Sequence, residues 1–343
     1  MEVIALGDPT DTQIEEWQAV VAAVWAHDHP GEPAPEPEQV RARLLVPPLA
    51  SRNLMWVARD AAGRLHGVAF LRLPDDADRA GEIDVQVLPG SRRRGIGTRL
   101  LAAAADGLRA GYCKTVIVQA LAGTPAVPFL EARGFHCVLS LRGMLLRLDD
   151  VDPARTEKIV ASGHPGYRLH RWTGTVPDEL AGELATAKRA MADLPLGDVT
   201  AFRWNADRVR EMAETVAARG ETLYTVAALH GPASAPRIAG FTEVVVPSAA
   251  PERASQYDTA VVPEHRGRRL GIWLKAAMLQ WLREERPDVR EIETDNADDN
   301  SHMLAVNEEL GFRRERDYLD FQADIGDLPT AAAWTAVHRT PFD

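Results

Sequence analysis

Two short segments rich in arginine and glycine have the residue types and spacing for anion chemistry. One runs Arg92-Arg93-Arg94-Gly95-Ile96-Gly97, the other Arg266-Gly267-Arg268-Arg269-Leu270-Gly271. Each follows an apolar stretch ending Val-x-Pro, at Pro89 and at Pro263, and each leads into an amphipathic run. A strand that turns through such a segment into a helix leaves the first helical N–H groups without partners inside the helix. Those groups carry the positive end of the helix dipole and favour an anion. Glycine lets the backbone approach that anion closely, and the arginines add charge. The turn is short and suits a pyrophosphate. It lacks the GxxxxGK[ST] pattern of a nucleotide-triphosphate loop and the GxGxxG pattern of a dinucleotide site.

The elements that must position these turns occur twice. Pro89 and Pro263 are 174 residues apart, as are Gly97 and Gly271. Downstream, Gly134 and Gly311 are 177 apart, and upstream Gly67 and Gly240 are 173 apart. A near-constant offset of half the 343-residue chain means a duplicated domain rather than a solenoid of short repeats. The pattern predicts an N-terminal copy over 1–150, a linker over 151–165, a C-terminal copy over 166–326 and a tail over 327–343. In each copy two apolar runs form a hairpin, an alternating run forms a further strand, and a helix follows the turn. A buried strand, a second helix ending in glycine and a closing strand complete the copy. The fold class is α/β (α+β).

Composition narrows the functions. Lys and Arg total 39 against 50 Asp and Glu, a net charge of −11, which argues against a nucleic-acid partner. No apolar run reaches the length of a membrane helix, and the N-terminus lacks a signal-peptide pattern. Two scattered cysteines, Cys113 and Cys137, fit a reducing compartment and no metal centre. The expectation is a cytoplasmic protein without metal, a monomer or homodimer.

Strand followed by [Q/R]-x-x-G-x-[G/A] resembles the acyl-CoA signature of the GNAT N-acetyltransferases. Arg92 to Gly97 matches it in full, and Arg266 to Gly271 matches except that Arg269 stands at the first glycine. Leu310-Gly311-Phe312, with Arg133-Gly134-Phe135 in the N-terminal copy, is a second feature similar to that family. The resemblance covers nearly the whole chain, as a tandem pair of the mycothiol-synthase type. It implies acetyl-CoA, or another acyl-CoA, as cofactor and a small-molecule amine as substrate. It implies in each copy a mixed, mostly antiparallel sheet, flanked by helices and splayed between its fourth and fifth strands. The pantetheine arm would then lie along Val85 and Val87, or Thr259 and Val261, with the pyrophosphate on the two turns.

Acetyl transfer to an amine needs a base for the ammonium proton and donors for the thioester carbonyl. By period-2 alternation Glu82 and Asp84 share a face in the N-terminal copy. The corresponding residues are Gln256 and Asp258, and Glu243 on the preceding strand is a further carboxylate. Asn296, Asn300 and Asn307 offer amides to the pantetheine or the thioester carbonyl, with Asn300 equally an N-cap. The tyrosine that many GNAT enzymes use as an acid is absent, since its position holds Leu130 and Asn307. The retained carboxylates and asparagines favour an acetyltransferase centred in the C-terminal copy. The missing tyrosines favour a non-catalytic acyl-CoA sensor, and catalysis in the N-terminal copy is a further alternative.

Overall fold

The computed structural model describes residues 1–76, 80–189 and 203–331. It divides into two compact units, one of residues 1–139 with 319–343, the other of residues 140–318. These bounds differ from the expected 1–150 and 166–326, because two strands cross between the units.

In the first unit β1 (Glu2–Leu6), β2 (Ser51–Arg59), β3 (Leu65–Pro74) and β4 (Gly81–Val87) pair antiparallel in that order. β5 (Thr115–Leu121) then joins β4 in parallel. Strand β1 lies outside the sequence expectation. The β2–β3 hairpin closes on Asp60, whose Oδ1 accepts from the amides of Ala62 and Arg64. Helices α1 (Asp11–Asp28), α2 (Pro37–Leu45), α3 (Ile96–Ala110) and α4 (Ala126–Glu131) complete the unit. The α3 stripe of Ile96, Leu100, Leu101, Ala104 and Leu108 is buried, as its 3.6-residue period requires.

β6 (His136–Arg147) begins in the first unit and continues in the second. There it pairs antiparallel with β11 (Glu291–Ala297), Leu141 opposite Ala297 through Arg147 opposite Glu291. The second unit also holds β7 (Tyr167–Thr173), β8 (Glu221–His230), β9 (Arg237–Pro247) and β10 (Arg253–Val261), antiparallel in sequence order. β10 runs parallel to β11. Its helices are α5 (Pro153–Ala161), α6 (Asp178–Arg189), α7 (Ala206–Ala218), α8 (Leu270–Glu285) and α9 (Ser301–Leu310). The segment expected as a linker thus carries α5, docked through Ile159 and Val160 on the core around α8.

The last strand, β12 (Arg313–Asp324), ends in the first unit, where Asp320 accepts from Gln119 Nε2 at 3.0 Å. Leu328, at the start of the expected tail, is buried in that unit's core; residues 332–343 lie outside the described residues. Among the described residues no helix is long and apolar enough to cross a membrane.

Candidate active site

Each unit carries the splay that the resemblance implies. β4 and β5 pair only at Gly81 with Val116 and Glu82 with Ile117. β10 and β11 pair only from Arg253 to Ser255 against Glu291 to Glu293. Beyond those points Val85 and Val87, or Thr259 and Val261, keep only the inner neighbour, β3 or β9. Gly67 and Gly240 let that neighbour come close, since a Cβ at either would lie 2.8 Å from a carbonyl oxygen across the strand pair.

The turns after these strands share a backbone with two left-handed residues. In the N-terminal copy they are Arg93 (φ 63°) and Gly95 (φ 74°); in the C-terminal copy they are Gly267 (φ 74°) and Arg269 (φ 58°). Each copy therefore meets one left-handed position with glycine and the other with arginine. Gly95 and Arg269 are the N-caps of α3 and α8. Arg269 is 65% exposed and reaches out to Glu309 on α9, its Nη2 2.6 Å from Oε1.

The first arginine of each motif is a structural anchor. Arg92 Nε donates to Val87 O and Arg266 Nε to Val261 O, both at 3.1 Å. Arg92 also makes a bidentate pair with Asp28 at 2.9 and 2.6 Å. Arg93, Arg94 and Arg268 are exposed. Ile96 and Leu270 are buried core residues that seat the helix starts. A Cβ on Gly97 would lie 3.1 Å from the Phe129 ring, whereas one on Gly271 would meet nothing within 4 Å. Each turn is tied to a neighbouring strand through an imidazole. His66 Nδ1 lies 2.8 Å from Ser91 Oγ, with its Nε2 3.1 Å from Asp60. His265 Nδ1 lies 2.8 Å from the Tyr167 hydroxyl.

The expected carboxylates separate by copy. Glu82 is 51% exposed and paired with Arg72 at 2.6 Å. Asp84 accepts from Gln86 Nε2 at 3.1 Å and faces Arg43 at 3.6 Å. Glu243 and Asp258, by contrast, meet on one cation. Lys188 Nζ donates to Glu243 Oε2 and to Asp258 Oδ2, both at 2.6 Å. Lys188 and Glu243 are fully buried, while the Asp258 side chain is 31% exposed. The Trp204 and Phe241 rings flank Nζ at 4.8 and 5.0 Å. Burial pushes the Glu243 carboxyl up to about 7, against the pull of Lys188 and with a push from Asp258. Burial opposes the Lys188 charge, but the two carboxylates more than offset it and hold its pKa above the usual value.

A bulge aims Asp258. Gln256 faces Val244 and Thr259 faces Thr242, so β10 carries one extra residue at Tyr257–Asp258. β4 runs in unbroken register with β3 over the same stretch. Lys188 escaped the sequence reading, yet a signal was there: it continues the Leu180, Leu184 stripe of α6, at a position where an apolar residue is expected.

The asparagines fall into two kinds. Asn300 caps α9, its Oδ1 accepting from Met303 N at 3.2 Å. Asn296 on β11 and Asn307 on α9 are buried. Asn296 Nδ2 and both amide atoms of Asn307 have no hydrogen-bond partner among the described residues, nor has Glu243 Oε1. Buried polar groups are normally satisfied, so these atoms point to a polar ligand or water. Among the described residues no cluster of three His, Cys, Asp or Glu could hold a metal ion.

Comparison with known proteins agrees with this architecture. The Acetyltransferase (GNAT) family model matches twice, at residues 17–135 and 189–312. A mycothiol acetyltransferase of Sanguibacter keddieii is 30% identical over 304 residues, covering 87% of this chain and 90% of the relative. A tandem GNAT protein from the clavulanic acid biosynthesis pathway superposes with a TM-score of 0.78 at 30% identity, over 95% of this chain and 98% of that one. A GCN5-related N-acetyltransferase from Sphaerobacter thermophilus shares the fold, with a TM-score of 0.67 at 18% identity over 96% of each chain.

Proposed function

The chain belongs to the acetyltransferase (GNAT) family and is an N-acetyltransferase, and on that premise we propose that it acetylates a primary amine of a small molecule from its C-terminal copy. The donor in this reading is acetyl-CoA or another acyl-CoA, which supplies the activated acyl carbon when bound. The observation that carries the assignment is the Lys188–Glu243–Asp258 cluster, because the N-terminal copy holds Phe70 where the C-terminal copy holds Glu243.

The residues of the C-terminal copy fit such a donor. The helix N-terminus at Arg269–Gly271 offers unpaired amides to a pyrophosphate, and Arg269 does not obstruct it. The orphaned amides of Asn296 and Asn307 match the polar groups of a pantetheine arm or a thioester carbonyl. Asp258 stands on the stretch of β10 that has left β11, and its exposed carboxylate takes the ammonium proton, directly or through water. An asparagine at position 307 can donate a hydrogen bond to a departing thiolate but cannot give it a proton. The N-terminal copy, with its intact glycine motif and no buried carboxylate, would hold acyl-CoA without chemistry. The net charge of −11 favours a cationic acceptor such as an amino-sugar or an aminoglycoside.

The test is thiol release from acetyl-CoA by the full-length chain across a panel of amino-sugars and aminoglycosides. Amine-dependent release supports the reading. Release no faster than the amine-free background for every member sinks it.

A further inference from the structure

We propose that Lys188 relays a proton between Asp258, which meets the amine, and Glu243, which stores the proton in the protein interior. The inference rests on the C-terminal centre proposed above and adds a positioning residue and a proton path to it.

The geometry asks for more than an ion pair. A buried ammonium is neutralised by one carboxylate, and burying a second charged partner costs free energy. Here two carboxylates share one Nζ at 2.6 Å each. The cluster therefore carries one net negative charge and can take one proton to become neutral. Neutrality is the state that a buried site favours. Glu243 is the better resting place for that proton, being fully buried with Oε1 lacking a partner among the described residues. Asp258, the member with an exposed face, is the better point of entry.

The step balances. Asp258 takes a proton from the substrate ammonium and leaves a neutral amine with a free lone pair. The Asp258 carboxyl turns this proton onto Lys188 Nζ as Nζ releases one of its own protons to Glu243 Oε2. Lys188 ends as an ammonium, Asp258 as a carboxylate ready for the next ammonium, and Glu243 as a neutral acid. After turnover the proton returns by the reverse path to solvent.

The surroundings of Glu243 support storage. From β8, Thr225 lies directly across the strand pair. From β10, Gln256 Nε2 donates to the Glu243 carbonyl at 2.5 Å. Tyr257, next to Asp258 on β10, keeps an exposed side chain. Among the described residues, Lys188 on α6 is the cation whose charge acts on the Glu243 carboxyl.

Two measurements on the full-length chain test the relay. The first needs no acceptor: infrared absorption of protonated carboxyl groups during a pH titration. A band should appear as pH falls through about 7, move to lower pH in Asp258→Asn, where the Lys188–Glu243 pair is already neutral, and vanish in Glu243→Gln. No such band in the wild type, or its survival in Glu243→Gln, overturns the proposal. The second is the pH profile of turnover with an amine that the panel identifies. Lys188→Arg keeps the charge and the donors but cannot release a proton. It should lower kcat by about tenfold or more, with KM unchanged. Glu243→Gln should move the acidic limb to lower pH. Wild-type kcat in Lys188→Arg overturns the relay. Should that variant fail to fold, a wild-type limb in Glu243→Gln does the same. Turnover indifferent to Asp258→Asn as well contradicts the C-terminal centre itself, a separate failure.

Discussion

Glu243 faces the bulge of β10 at the position where the N-terminal copy places Phe70 opposite Asp84. One copy thus buries a carboxylate and the other buries an aromatic ring at the same point of the repeat. A buried carboxylate titrating near 7 makes stability depend on pH. Between its usual value of 4.5 and about 7 the folded state binds a proton that the unfolded state does not. The contribution of Glu243 to stability is therefore greatest below this window and falls as pH rises through it, by up to about 1.4 kcal/mol per pH unit. Urea unfolding at several pH values should show this decline in the wild type and a flatter profile in Glu243→Gln. Equal slopes would contradict it.

Arg269 and Gly95 hold the same left-handed N-cap position in the two copies. That conformation costs a residue with a Cβ roughly 1–2 kcal/mol. Arg269→Gly should leave unfolding free energy unchanged or slightly raised, the relief of strain offsetting the loss of the Glu309 contact. Gly95→Val should lower it and weaken acyl-CoA binding by the N-terminal copy, as read by calorimetry. Destabilisation by Arg269→Gly of more than about 2 kcal/mol would mean that the contact with Glu309 dominates.

The second motif glycines differ in their surroundings. Gly97 is crowded by Phe129 and Gly271 is open. Gly271→Ala should raise stability by about 0.5–1 kcal/mol, the usual gain of replacing a helical glycine. Gly97→Ala should gain less, because its Cβ would press on the Phe129 ring. Thermal melts should place Gly271→Ala above Gly97→Ala.

Asn307 is fully buried with both amide atoms unpartnered among the described residues. Leaving such a group unsatisfied costs about 1–3 kcal/mol. Asn307→Ala should therefore be no less stable than the wild type without ligand, yet should lose turnover. A large loss of stability with normal turnover would assign Asn307 a purely structural role.

Much of this was legible in local sequence. The repeat and the two turns follow from spacing and hydrophobic period, which report local geometry, whereas the splay of each sheet comes from the resemblance to a family. Glu243 and Asp258 were visible as candidates, but their meeting on Lys188 depends on residues 55 and 70 positions away. Lys188 itself reads as an ordinary surface lysine unless the α6 stripe is followed to its end. The bulge at Tyr257–Asp258 breaks an alternation that sequence assumes to be unbroken. The anchoring of Arg92 by Asp28 links residues 64 positions apart, so a motif arginine that reads as a phosphate ligand is held by the fold. The destinations of β6 and β12 depend on long-range pairing that no local pattern encodes.

Paired carboxylate variants decide whether the C-terminal copy holds the catalytic centre. With an amine from the panel, Asp258→Asn and Glu243→Gln are measured against Glu82→Gln and Asp84→Asn. Asp258→Asn should lose about 10²–10⁴ in kcat, Glu243→Gln should fall with it at neutral pH, and the N-terminal pair should keep wild-type turnover. Abolished turnover in Glu82→Gln and Asp84→Asn, with Asp258→Asn and Glu243→Gln intact, would contradict this and reverse the roles of the two copies.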